Sequence, residues 1–153
     1  MSELWLDFTL AAVHHVLVFS LFAILAIELV YAKPGMDAPT VRRLAAIDAM
    51  YGLFATLVIV VGFSRAIWGL KGWDYYLTNP LFWTKVGLFL AVGALSAPPT
   101  IKFLQWKGRL KADAAYLPPA AEVKANRKWL HMEMGLLILI PIVAAALARG
   151  LAD

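Results

Sequence analysis

Two adjacent histidines, His14 and His15, sit near the middle of a long apolar stretch, and Arg65 and Lys85 interrupt two later ones. An imidazole or a cation at such depth is costly unless it meets a partner, a wet cavity or a bound group. Neutral histidine ligates iron through one ring nitrogen while the other donates a hydrogen bond. A guanidinium or ammonium nearby would hold an anion such as a tetrapyrrole propionate, or a quinone oxygen. His14 and His15 project about 100° apart on a helix, so one can face a site while the other packs or supports it. His14 has the stronger case. Asp7, His14 and Glu28 fall on one helical stripe, with Leu21 at the remaining position. The plainer alternatives are a helix–helix hydrogen bond for the histidines and snorkelling to the interface for Arg65 and Lys85.

A second polar group comprises Glu28, Asp48, Tyr51, His131 and Glu133. Carboxylates with a histidine suit a divalent metal, which makes His131 a second metal candidate. His131 and Glu133 are two residues apart, however, so they project about 200° apart on a helix. They do not form the Glu-x-x-His pattern of di-iron bundles. The plainer reading is ion pairing with Arg42, Arg43, Lys102 or Arg127. His14 and His131 differ in depth by about 10 Å along the membrane normal, too far to clamp one haem as axial ligands. A haem here would use one histidine, an unexpected second ligand, or one from a neighbouring chain.

The elements that must position these groups follow from composition. Of 153 residues, 62% are hydrophobic, and mean hydropathy is +0.74. A soluble domain is roughly half apolar. Cysteine is absent, which excludes disulfides and thiolate metal sites. Four apolar segments run over about 4–32, 44–70, 80–104 and 124–149. Each reaches the roughly 20 residues that span a bilayer, and in lipid the backbone must satisfy itself within helices. The expectation is an all-α, up-down four-helix bundle integral to the membrane, one domain over 1–153. Glu3 and Asp7 occupy the place of a basic n-region, so the first segment is not read as a cleavable signal.

The net charge of +4 is unevenly placed. Lys33, Arg42 and Arg43 lie in the first loop. Lys102, Lys107, Arg109, Lys111, Lys124, Arg127 and Lys128 surround the third. The positive-inside rule then puts both termini on the outer, periplasmic side of the cell inner membrane, in a multi-pass topology. The same pattern argues against nucleic acid as a partner. Trp5, Trp68, Trp73 and Trp83 should mark the outer interface, and Trp106 and Trp129 the inner one. Lys33-Pro34-Gly35 should end the first helix, Asp37 or Thr40 should cap the second, and Asn79-Pro80 should open the third. Pro98-Pro99 should kink or end the third helix and Pro141 should kink the fourth, leaving Thr100 to Lys111 along the inner interface. Gly52, Gly62, Gly87, Gly93 and Gly135 are expected at close helix contacts.

The run Val61-Gly62-Phe63-Ser64-Arg65, Lys71-Gly72-Trp73, Tyr75-Tyr76, Asn79-Pro80, Phe82-Trp83, Lys85, Ser96 and Pro98-Pro99-Thr100, with His14-His15, covers nearly the whole chain. It resembles an uncharacterised family of small bacterial four-helix membrane proteins whose name is a placeholder and implies no activity. The layout is also similar to HemJ-type protoporphyrinogen oxidases, at a first-helix histidine (His14 or His15) and at Lys85. That resemblance implies haem b on the histidine, with Lys85 near a porphyrin. The chain departs from the pattern at Glu28, where a basic residue is expected, and in lacking a glycine after the histidine.

The leading expectation is a small membrane redox or tetrapyrrole-binding protein. Its cofactor-binding set would be His14, His15, Arg65 and Lys85, with His14 on a haem iron. No catalytic residue is singled out, and serine-hydrolase, P-loop, HExxH and dinucleotide-binding patterns are missing. Expected partners are the lipid bilayer, a second copy of the chain, and a membrane redox partner or quinone. The alternatives are an oligomeric proton or cation transporter subunit using Glu28, Asp48 and His131, or a structural or assembly protein without a ligand.

Overall fold

The computed structural model describes residues 2–151. Its elements are α1 (Glu3–Tyr31), α2 (Ala38–Trp68), α3 (Gly72–Thr78), α4 (Pro80–Ala112) and α5 (Ala120–Ala148). The four long helices are each apolar enough to cross a membrane, and no strand occurs among the described residues. Helix α1 packs on α2, α2 on α4, α4 on α5 and α5 on α1, which closes an up-down ring. The expected all-α four-helix architecture is therefore the observed one. The short α3 bridges α2 and α4 at the end that carries both chain termini. There the Tyr75 hydroxyl donates to the Leu147 carbonyl at 3.4 Å. This is the terminal end, and the end with the α1–α2 and α4–α5 connections is the loop end.

Local chemistry sets the helix boundaries. Helix α2 begins at Ala38, not near 44, because the Asp37 carboxylate accepts from the Thr40 N–H at 2.9 Å. Hydrogen bonding from the Thr40 side chain and then its N–H holds the exposed Asp37 carboxyl below its usual range. Asn79 caps α4 by accepting from the Leu81 N–H at 2.9 Å, and Pro80 follows in the first turn.

Helix α4 then runs 33 residues and does not end at Pro98 and Pro99. At 1.5 Å per residue this is about 50 Å, longer than the roughly 30 Å hydrocarbon layer. The expected interfacial stretch after Pro99 is thus a continuation of α4. Its inner face, Phe103, Trp106 and Leu110, joins Val123 and Leu130 in the bundle core. Burial of that face outweighs the two missing proline donors. Trp106 is accordingly a core residue and not an interface marker: it is 0% exposed, and its indole N–H donates to Glu122 Oε2 at 3.0 Å. Trp5, Trp68, Trp83 and Trp129 do face outward. Helix α5 likewise continues through Pro141.

The main core runs from Leu21 and Leu25 through Val92 and Leu137 to the loop end, and a smaller cluster of Ala66, Phe82 and Leu147 fills the terminal end. Large apolar side chains such as Phe19, Leu53, Leu90 and Ile142 cover the outside. In water such a surface would be an association patch; in a bilayer, acyl chains solvate it. The glycine expectation is mostly overturned. A methyl added at Gly52, Gly87, Gly93 or Gly135 would meet no neighbour within 4 Å. Gly62 alone of the five is tightly placed.

Candidate functional site

The His14 stripe faces inward along its length. Asp7 accepts from the Leu70 N–H at 3.2 Å, which ties the start of α1 to the turn after α2. Leu21 is 0% and Glu28 1% exposed. Between Asp7 and Leu21, His14 points into a cavity of about 110 Å³ bounded by all four long helices. Its walls are otherwise apolar apart from Lys85, with Val18, Val58, Phe89 and Leu137 contributing from different helices. Ile59 on α2 and Leu90 on α4 line this cavity and are also 41% and 63% exposed on the outside. They mark a lateral opening toward lipid.

Toward the terminal end a second recess of about 20 Å³ is lined by His14, Gly62, Arg65, Ala66, Tyr76, Phe82 and Lys85. The structure brings His14, Arg65 and Lys85 together here, each reaching the recess from a different helix. Lys85 turns inward, with its ammonium 5.7 Å from the Phe82 ring centroid. The His14 Nδ1 and the Arg65 Nε are buried with no hydrogen-bond partner. Gly62 makes the room: a Cβ there would lie 3.1 Å from His14 Cε1, tight enough to displace the imidazole. Burial pushes the Tyr76 phenol above its ordinary range, against the nearby Arg65 and Lys71 charges. It faces the recess as a neutral hydroxyl. Tyr76 and Phe82 were not singled out as site residues, although both belong to the aromatic run that carries the family resemblance.

His15 lies apart from this group. It is exposed, and its ring donates from Nδ1 to the Ala11 carbonyl at 2.6 Å, within its own helix. The two rings stand 6.3 Å apart and nearly perpendicular. His131 is exposed on α5 while Glu133, two residues on, is buried. No group of three histidine or acidic residues among those described is placed to hold a metal ion.

A haem does not fit this cavity as the helices stand. Small-molecule pockets run to about 300–1,000 Å³, and an apolar cavity of about 150 Å³ accommodates one benzene-sized ring. At about 110 Å³ the space is somewhat smaller than that single-ring cavity and far too small for a macrocycle. One imidazole faces it, from His14.

The second polar group lies toward the loop end. Glu28, Asp48, Tyr51 and Glu133 are 1%, 7%, 4% and 1% exposed. Thr100 donates to Asp48 Oδ1 at 2.8 Å. The expected ion pairs to these carboxylates are not made, because the cations are engaged elsewhere. Lys102 and Arg109 sit 3.5 and 3.8 Å from Glu122. Arg127 donates to the Leu29 and Ala32 carbonyls at 2.6 and 2.7 Å, closing the end of α1. Arg42 and Arg43 are exposed. Thr100 and Asn126 are polar members of this region that sequence reasoning missed. A wall of Leu21, Leu25, Val92 and Leu137, each at most 2% exposed, separates the two groups.

No curated protein and no solved structure matches the chain. A family of membrane proteins does match it from residue 6 to residue 152, nearly end to end. The long inward-facing stripe and the aromatic run between α2 and α4 both fall inside that span. The chain belongs to the family described as "Predicted membrane protein (DUF2214)".

Proposed function

We propose that this chain is an inner-membrane protein that binds a bilayer-dissolved molecule of the quinone class: one ring bearing carbonyl oxygens, with an apolar tail. One observation carries the reading. Two buried nitrogens without partners, His14 Nδ1 and Arg65 Nε, border a recess that adjoins an otherwise apolar, ring-sized cavity. Unpaired buried polar groups are costly, so a ligand that supplies an oxygen there gains what the free protein forgoes. Lys85 and Arg65 would donate to that oxygen, with the Tyr76 hydroxyl beside them. His14 would accept or donate according to its tautomer. The tail would leave between α2 and α4 beside Ile59 and Leu90. The termini and α3 would then lie on the periplasmic side, and a membrane partner would exchange electrons with the bound ring.

The test is titration of the protein in lipid nanodiscs with a short-tailed benzoquinone, followed by quenching of tryptophan fluorescence. Trp73 packs on Phe63 and Phe82 at the edge of the recess and serves as reporter. Saturable quenching is expected. Lys85→Met and His14→Phe should each weaken it at least about tenfold, or about 1.4 kcal/mol. Non-saturable quenching in the native protein, or variants that bind equally well, would remove the site.

A further inference from the structure

The recess at the terminal end is short of negative charge. Its ionisable lining is His14 from α1, Arg65 from α2, Tyr76 from α3 and Lys85 from α4. Arg65 and Lys85 are both largely buried, and no acid among the described residues comes within ion-pair distance of either. The acids of this end are engaged elsewhere or face outward. Asp7 accepts from the Leu70 N–H, and Glu3 and Asp74 are exposed. Buried charges are normally paired. A trapped water molecule would take up the hydrogen bonds but would leave the positive charge uncompensated.

We infer that this recess binds a single anionic atom: a free halide such as chloride when no ring is bound, or the ionised oxygen of a ring ligand. Size sets the first limit. About 20 Å³ is room for one water-sized atom, too little for phosphate or sulfate. The donors suit a negative centre. The Arg65 Nε–H is always a donor, the Lys85 ammonium carries three N–H groups, Tyr76 has its hydroxyl, and His14 Nδ1 donates in one neutral tautomer. Two of these atoms, Arg65 Nε and His14 Nδ1, are buried without a partner. Hydrogen bonds to an ionised acceptor are roughly twice as strong as those to a neutral one. At this point a phenolate oxygen, as in a deprotonated quinol, is therefore favoured over a quinone carbonyl. Halide and ring oxygen compete for one place, so chloride opposes ring binding. The halide part stands by itself, whereas the ring part rests on the quinone-class reading.

A ligand that binds only the folded protein raises its melting point by mass action. The first arm measures Tm of the full chain in nanodiscs as sodium chloride replaces sodium gluconate at constant pH and ionic strength. Tm is expected to rise and saturate. Lys85→Met should weaken that response at least about tenfold, and Lys107→Met, at the exposed loop end, should leave it unchanged. The second arm uses a one-ring phenol that ionises near neutral pH and whose anion absorbs at longer wavelength. Bound to the protein, it should ionise at least about one pH unit lower than in protein-free nanodiscs, a tenfold preference for the anion, and chloride should displace it. Gly62→Ala keeps every charge but crowds the His14 ring, so it should weaken both responses even if Lys85→Met fails to fold. A shifted phenol without a chloride response assigns the anion to the ring oxygen. A chloride response without binding of phenol or benzoquinone keeps the anion site and removes the quinone reading. Benzoquinone binding with an unshifted phenol and no chloride response keeps the ring site and overturns the anion. Indifference in both arms, or responses that survive in the folded variants, overturns it as well.

Discussion

The two halves of the bundle place residues of opposite kind, basic and acidic, in opposite kinds of interior. At the terminal end, His14, Arg65 and Lys85 border open space that reaches the lipid side. At the loop end, Glu28, Asp48 and Glu133 are locked in a packed core built on Phe103, Trp106 and Leu130. Both halves leave polar atoms without partners, so incomplete hydrogen bonding alone does not distinguish them. Volume does. The basic half borders a cavity of about 110 Å³, whereas packed side chains fill the acidic half. Leu21, Leu25 and Leu137 form a dry septum that lets one bundle hold two electrostatic environments without the charges cancelling.

The sharpest way to break this contrast is at Arg127. If it secretly neutralised the acids, the loop end would be an ordinary ion-pair network. Its guanidinium instead donates to the Leu29 and Ala32 carbonyls, which are orphans of the α1 terminus. Hydrogen bonds to a charged donor contribute about 1.5–3 kcal/mol each. Arg127→Gln should therefore lower stability by about 3 kcal/mol in a detergent-unfolding measurement. Combined with Glu133→Gln, the losses should add to within about 0.5 kcal/mol. A strongly non-additive cycle would mean that the arginine and the acid act as a pair.

Thr100→Val is a smaller probe of the same half. It keeps the shape of the side chain and deletes the 2.8 Å donor to Asp48. Leaving a buried acceptor short of a donor costs about 1–3 kcal/mol, and about 1 kcal/mol is expected because Asp48 is the least buried of the three acids. Quinone titration at the terminal end should be unchanged, since the septum lies between. A coupled change in both would show that the halves communicate.

Much of this arrangement was legible in the sequence because it depends on periodicity. Seven-residue spacing put Asp7, His14 and Glu28 on one face, and depth counting brought His14, Arg65 and Lys85 to a common level. The caps Asp37 and Asn79 are local and were equally readable. The unread features are set by long-range reach. Arg127 finds carbonyls nearly a hundred residues earlier, and Lys102 and Arg109 pair with Glu122 across the α4–α5 connection. Residue type alone offered Lys102 and Arg127, with Arg42 and Arg43, as partners for the polar group of Glu28, Asp48 and Glu133. Pro98-Pro99 misled for a related reason. Local propensity allowed the helix to end there, whereas burial of Phe103, Trp106 and Leu110 in the core carries it onward.

The least disruptive test uses the neighbouring histidines as a matched pair. His15 shares its chemistry and depth with His14 but points about 100° away, and its N–H goes to the Ala11 carbonyl of its own helix. That carbonyl also lies inside α1 and can serve the helix ladder, so deleting the imidazole leaves no buried acceptor stranded. A phenyl ring on an exposed face suits acyl chains. His15→Phe should shift stability by less than about 0.5 kcal/mol and leave quinone affinity where it was. The same change at His14 should weaken binding at least about tenfold. Equal losses from the two substitutions would extend the site onto the lipid face of α1. The basic half would then be a surface patch and not a pocket, and the contrast with the sealed acidic half would rest on exposure alone.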